Sequence, residues 1–369
     1  MRSLVTTCSS NPPEGMSVPR NSVYSAARRI CNFRTGAQLA PLNSALELPP
    51  VESLEQRMNM KRAEKFVRRI GLLAVLAGTI TATSAWAQNY NQIALLKWYQ
   101  ANQTTGFAVD GNLSDVAFDG SSIWVTDQSH SVTKLDASTG MVLGTFRVGR
   151  TPLGLAFDGA NIWVANAGDG TVSKLRASDG TALGTFTVGI FPWGVAFDGA
   201  NIWVTNSKGN NVTKLRASDG FRLGAFDVGV SPHGLAFDGT NMWVANFDGK
   251  SVMKLSSSGE ILVTYNNIFG ADYLAFDGSS MWASGLISNK VFKLALNGSG
   301  MVGYDVRQPE GMAFDGANLW IAGHTGSVTE LRVSDGTILA SFSAGMLPVG
   351  VAFDGANIWV ACMGQVRKM

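Results

Sequence analysis

Disulfide chemistry has almost no raw material in this chain. Of its three cysteines, Cys8 and Cys31 lie near the N-terminus and Cys362 stands alone near the C-terminus, so residues 88–369 can form no internal disulfide. Histidine is as scarce, with His130, His233 and His324 the full set. No helical period appears after residue 90. No apolar run there approaches the ~20 residues that a membrane-spanning helix needs. A basic surplus is missing too, although the formal charge is +2. Eleven of the 29 Lys and Arg but only 5 of the 27 Asp and Glu precede residue 88, so residues 88–369 carry 18 and 22 and are net −4. That excludes the basic face that nucleic acid selects and the polybasic segments that anionic membranes attract.

The first 87 residues differ from the rest. Residues 1–57 are polar, contain Pro and Arg, and have no period, which fits a disordered leader or an over-long start. "MKRAEKFVRRIGLLAVLAGTITATSAWAQ" follows from Met60. Lys61, Arg62, Lys65, Arg68 and Arg69 form a basic opening, Ile70 to Ala77 an apolar stretch, and Ala85-Trp86-Ala87 a small-residue exit. That order is a secretory signal peptide, assigned here to residues 58–87, with the mature chain expected to begin at Gln88. The expected location is therefore secreted or periplasmic, with no membrane span after cleavage.

What remains is repetitive. Ala-Phe-Asp-Gly starts at positions 117, 156, 196, 236, 275, 313 and 352, at spacings of 39, 40, 40, 39, 38 and 39. A fixed period of this size means a solenoid or a propeller. Each repeat reads as four short strands, as in "GLAF", "NIWVAN", "TVSKLRA" and "ALGTFTVG". Asp-Gly hairpin signals join the first to the second and the third to the fourth. Four antiparallel strands in about 40 residues make a β-propeller blade. The predicted architecture is an all-β, seven-bladed propeller over residues 88–369, expected to be monomeric. The last repeat stops at "QVRKM" without a fourth strand, while "TTGFAVDG" (Thr104–Gly111) precedes the first as an orphan fourth strand. The N-terminal strand is predicted to complete the last blade, with Phe107 in the place of Phe146, Phe186, Phe226 and Phe342. Residues 88–98 are left over and are expected to add an outer strand.

Two columns run through the repeats. Trp124, Trp163, Trp203, Trp243, Trp282, Trp320 and Trp359 are predicted to pack blade on blade. Each can bury ~150–250 Å², a gross gain of ~4–6 kcal/mol. Lys134, Lys174, Lys214, Lys254, Lys293 and Lys368, with Glu330 once in their place, are read as a solvated face.

Agreement between repeats separates the two faces of the disc. The Asp-Gly turns repeat almost unchanged, because a tight turn needs φ > 0. Variation gathers on the opposite face. The residue leading into the first strand is in turn Ser114, Leu153, Trp193, His233, Asp272, Glu310 and Val349, a set expected to ring the mouth of the central channel. Neighbouring inner strands are expected about 10 Å apart there. The loops between second and third strands add Asp127, His130 and His324. The candidate ligand-binding residues are thus Trp193, His233, Asp272, Glu310, His324, His130 and Asp127. No cofactor is required by the sequence. A divalent metal is the one ion that His233, Asp272 and Glu310 would suit, and the same trio could do general acid–base work. His233 is expected to be lightly packed, so that its loss would cost no more than ~0.5 kcal/mol.

"IWVTN" (Ile202–Asn206) and its "IWVAN" cousins resemble the Tyr-Val-Thr-Asn signature of secreted bacterial YVTN-type propeller repeats, with Trp in the Tyr place. The lead-in Pro-x-Gly-(Leu/Val)-Ala-Phe-Asp-Gly also resembles NHL repeats. Streptogramin B lyases are similar in Pro232-His233-Gly234 and in Asp-Gly before a Trp strand. Their repeats tend to carry Glu after that strand, where this chain has Asn, Gly, Cys or Asp127. The resemblance covers residues ~100–369 and implies a propeller that binds or scaffolds. The expected function is therefore a non-catalytic binding scaffold working through the variable loop face, with a protein, a peptide or a cell-envelope glycan as partner. The alternative is a metal-dependent lyase or lactonase at the channel mouth around His233.

Overall fold

The structure is a computed structural model that describes residues 105–369; the leader, the signal segment and residues 88–98 lie outside the described residues. Seven four-stranded antiparallel sheets follow one another. Blade 1 runs Leu113–Phe118, Ser122–Asp127, Ser131–Asp136 and Val142–Arg147, from the channel outwards. Blades 2 to 6 repeat this order. Blade 7 takes Val351–Phe353, Ile358–Cys362 and Gln365–Lys368 from the C-terminal end and Thr105–Ala108 from the N-terminal end. The closing strands pair antiparallel, with Phe107 opposite Val366, and the Phe107 ring stacks on Trp359 at 5.6 Å. The ring is thus sealed as the orphan strand implied.

Each blade is built around its tryptophan. In blade 3, Trp203 is 1% exposed and packs against Phe226 of the outer strand at 5.6 Å. Its Nε1 donates to Asp198 Oδ2 at 2.7 Å. The other oxygen of that carboxylate accepts from the amides of Ala200 and Asn201, which closes the Asp-Gly turn. One Asp therefore builds a turn and satisfies a buried indole, which explains why Ala-Phe-Asp-Gly recurs without change. Burial alone would raise the Asp198 carboxyl, but the bonds from Trp203, Asn201 and the turn amides hold it below the usual carboxylate range.

The lysine column is not a solvated face. Lys134, Lys174 and Lys214 are 7–8% exposed. The Lys214 ammonium lies 4.6 Å from the Trp203 ring centre and 3.7 Å from Asp198 Oδ2, and it donates to Ser257 O of the next blade at 2.8 Å. Lys368 does the same across the seam, donating to Ala137 O of blade 1 at 2.9 Å. The long stem crosses apolar surface and the charged head reaches polar groups beyond it. Each lysine therefore staples one blade to the next. Lys214→Met keeps the stem but loses the part-buried bond to Ser257 O and leaves the buried Asp198 carboxylate without its cation, and a loss of ~1–3 kcal/mol is expected in urea unfolding. An exposed lysine would move the midpoint by no more than ~0.5 kcal/mol.

The second Asp-Gly turn packs equally tightly. Gly180 has φ +74°, and a Cβ there would lie 2.0 Å from the Phe146 ring of the preceding blade. Glycine is demanded twice, by the turn and by the neighbour. Cys362 is fully buried with Sγ donating to Ala344 O at 2.9 Å, and burial pushes its thiol up to about 11. It is an unreactive packing residue.

Candidate functional site

The mouth is shaped by how the chain turns into each inner strand. Thr151, Phe191, Ser231, Gln308 and Leu347, each preceding a proline, hold positive φ between 43° and 57°. Such conformations cost ~1–3 kcal/mol each in non-glycine residues. Here the turned carbonyls tie down the loops between second and third strands. Ser231 O accepts from Phe247 N at 2.8 Å, and Gln308 O accepts from His324 N at 3.0 Å. The ties fix two loop side chains over the channel. One residue on, the inner strands of blades 1 to 6 carry a register shift, between Pro192 and Val195 in blade 3. It frees the Gly194 amide, which donates to Thr205 Oγ1 at 2.8 Å, while that hydroxyl donates to His233 O of the next blade at 2.6 Å. Thr205 thereby sets the backbone that carries His233.

Inner strands approach far more closely here than the 10 Å expected from ordinary sheet stacking. A Cβ on Gly234 would meet Asp272 O at 2.4 Å and Tyr273 Cα at 3.0 Å. The propeller axis draws the strands together where the sheets converge, so only glycine fits at most of these positions. The residues immediately before it face one space. Ser114, Leu153, Trp193, His233, Asp272, Glu310 and Val349 all line a single cavity of about 330 Å³.

His233 is the centre of this arrangement and is well packed. Its ring lies parallel to Trp193 at 4.0 Å and stacks on Phe247 at 4.8 Å. Nδ1 is 2.8 Å from Asp272 Oδ1. His233 is 9% exposed and Asp272 5% exposed, so the expectation of a lightly packed mouth residue is corrected. Beside this pair, His324 Nδ1 bonds Glu310 Oε1. The cavity therefore contains two imidazole–carboxylate pairs on three consecutive blades, and the described residues offer no partner to the Nε2 of either ring.

Two further residues are decisive, and both break a glycine column. The position after the mouth residue is Asp115, Gly154, Gly194, Gly234, Tyr273, Gly311 and Gly350. Tyr273 reaches across the ring, with its hydroxyl 3.5 Å from Ser114 O. Asp115, the half-buried neighbour of cavity-lining Ser114, accepts from the amides of Val116 at 2.9 Å and Leu155 at 3.3 Å. Burial pushes the Asp115 carboxyl up to about 7 despite those amides. Burial and the charge of Asp272 push Glu310 up to about 7, against the pull of His324. Burial, with Asp115, Asp272 and Glu310 around it, raises the Tyr273 phenol well above its ordinary value. The interruptions of the glycine column are the sequence signal for this pair. Phe247 carried none, since its loop position varies freely.

The remaining candidates lie elsewhere. Asp127 is buried and accepts from Ser129 N at 3.0 Å and Ser131 Oγ at 3.1 Å, which folds its own loop. His130 is exposed and borders a separate shallow pocket with Thr145 and Arg147. Among the described residues, no group of three or more His, Cys, Asp or Glu side chains is placed to hold a metal ion.

Solved structures share this architecture. A streptogramin B lyase superposes with a TM-score of 0.63 at 19% identity, covering 72% of this chain and 96% of that one. Virginiamycin B lyase from Staphylococcus aureus gives 0.62 at 16% identity, with 72% and 98% covered. A chain of hydrazine synthase from Kuenenia stuttgartiensis gives 0.58 at 22%, with 71% and 97% covered. At these identities the likeness is one of fold. No protein-family model and no curated protein matches the chain.

Proposed function

We propose that this protein is an exported binding protein that takes a ligand at the channel mouth without transforming it. The supporting observation is that all seven of the most variable repeat positions line one cavity. Its volume of about 330 Å³ falls within the ~300–1,000 Å³ usual for small-ligand pockets. It would accept a small molecule or one residue-sized group of a peptide or glycan. Apolar walls from Leu153, Trp193, Phe247 and Leu347 with a few polar groups below follow the usual division between affinity and orientation. Trp193 is the partly exposed tryptophan of the cavity, whereas the blade tryptophans are largely sealed. A ligand at the mouth is therefore expected to shield Trp193 from acrylamide quenching and to raise the melting temperature. Trp193→Phe should remove the quenching change. Ligands that raise the melting temperature without protecting Trp193 would place binding elsewhere.

One observation favours a second reading. Two histidines, each oriented by a carboxylate and each with a free Nε2, are suited to proton transfer, and two solved neighbours are named as lyases. Incubation with streptogramin B, followed by mass spectrometry of the product, distinguishes the readings. Recovery of unchanged compound supports binding alone; turnover lost in His233→Asn supports a lyase.

A further inference from the structure

We infer that the mouth cavity selects a small organic ammonium ion carrying an apolar body, an inference that rests on the mouth being the binding site. No Lys or Arg lines the cavity, while Asp272 and Glu310 do. Each carboxylate gives one oxygen to a histidine, and neither Asp272 Oδ2 nor Glu310 Oε2 has a partner among the described residues. With Asp115 next to Ser114, three carboxyls face two paired imidazoles, so above about pH 7, where Glu310 and Asp115 ionise, the site is anionic whichever protonation state the rings adopt. A second observation is independent of the acids. Ser114 lines the cavity, is 6% exposed, and its Oγ is buried with no partner. A buried hydroxyl without a partner marks a place where a ligand would supply one.

The walls decide between kinds of cation. Trp193, Phe247, Leu153, Leu286 and Leu347 offer aromatic faces and aliphatic surface. An alkyl- or arylalkylammonium gains from both, through cation–π attraction and apolar burial. A hydrated metal ion gains from neither, and the carboxylates are held apart in separate histidine pairs with no three-ligand group among the described residues. A neutral ligand would leave the carboxylates unmatched, and an anionic one would meet repulsion.

Protonation gives the site a pH signature. Glu310 is faced by Asp272, His324 and Tyr273, and Asp115 by the Val116 and Leu155 amides and Tyr273. Both carboxyls sit at about 7 in the free protein. A bound cation favours their ionised forms, so binding releases protons near neutrality and tightens as pH rises through 7.

The test is isothermal titration of the full chain with 2-phenylethylamine at pH 8 and pH 6. The neutral 2-phenylethanol, 3-phenylpropanoate and magnesium chloride serve as comparisons. The amine is expected to bind at least tenfold more tightly than the alcohol and to protect Trp193 from quenching, with no binding of the carboxylate. Its affinity should fall at least tenfold between pH 8 and pH 6, about tenfold for each fully linked carboxyl near 7. Glu310→Gln should reduce that dependence to the part carried by Asp115, with circular dichroism confirming that the variant is folded. An alcohol that binds as tightly as the amine, or magnesium that displaces it, overturns the cation assignment while leaving the mouth as the site. Amine binding that leaves Trp193 unprotected overturns both.

Discussion

A chain lacking residues 88–111 is expected to lose ~5 kcal/mol or more of stability, on the scale of the ~5–15 kcal/mol that holds most domains together. The segment includes the fourth strand of blade 7, Thr105–Ala108, paired with Gln365–Lys368. Phe107 stacks on Trp359, and its ring also fills the space above Gly140 of blade 1, where a Cβ would lie 2.0 Å from it. Val109 is 5% exposed in the same core. Phe107 is partly buried, so its loss costs up to the ~3–5 kcal/mol of a fully buried aromatic, and each lost ladder bond adds ~0.5–1.5 kcal/mol. The deletion also bares an unpaired strand edge, an aggregation hazard. The measurement is urea unfolding with light scattering in parallel. Phe107→Ala should reproduce part of the loss in a chain of full length. Equal midpoints for the deletion and the intact chain would mean that the ring does not depend on this closure.

The propeller was readable because repetition multiplies each weak local signal by seven. One Asp-Gly hairpin is an ordinary turn, but Ala-Phe-Asp-Gly at near-constant spacing leaves one architecture with the right period. The seam was readable for the same reason, since a missing strand stands out only against complete ones. The lysines were misread because a charged column on a strand reads alike whether its heads meet water or the carbonyls of the next blade. That difference lies in the inter-blade distance, to which a single strand is blind.

The site was legible in position and not in chemistry. Variation at one repeat position named seven of the residues that line the cavity, because every blade delivers that position to the same axis. The pairing of His233 with Asp272 depends on a contact between blades, 39 residues apart in sequence, and that of His324 with Glu310 on a loop folding back over its own blade 14 residues on. Asp115 and Tyr273 stood one residue further on, in a column otherwise of glycine. Uniform glycine there reports crowding at the axis, and each departure from it marks a side chain placed inside the channel. His130 and Asp127 show the converse limit. Loop residues on the correct face need not reach the axis, and Asp127 spends its oxygens on its own turn.

Trp243→Ala is expected to cost ~3–5 kcal/mol, because a fully buried indole leaves a cavity that the surrounding sheets cannot close. The damage exceeds lost packing. Asp238 Oδ2 loses the 2.8 Å bond from Nε1, and Lys254, 5.3 Å from the ring centre and 3.3 Å from Asp238, loses the face it lies on. Trp243→Phe should recover part of the apolar gain and none of the hydrogen bond, leaving a cost nearer ~2 kcal/mol. The contrasting variant in the same blade is His233→Ala. It removes a ring held between Trp193 and Phe247 and strips Asp272 of its partner, so ~1–3 kcal/mol is expected rather than a surface-like change. Urea unfolding monitored by far-ultraviolet circular dichroism ranks the variants, and the order Trp243→Ala, then Trp243→Phe and His233→Ala, is the expected result. A His233→Ala cost equal to that of Trp243→Ala would make the mouth histidine a structural keystone. A cost near zero would mean that its stacked and bonded position contributes nothing to the folded state and is maintained for the ligand alone.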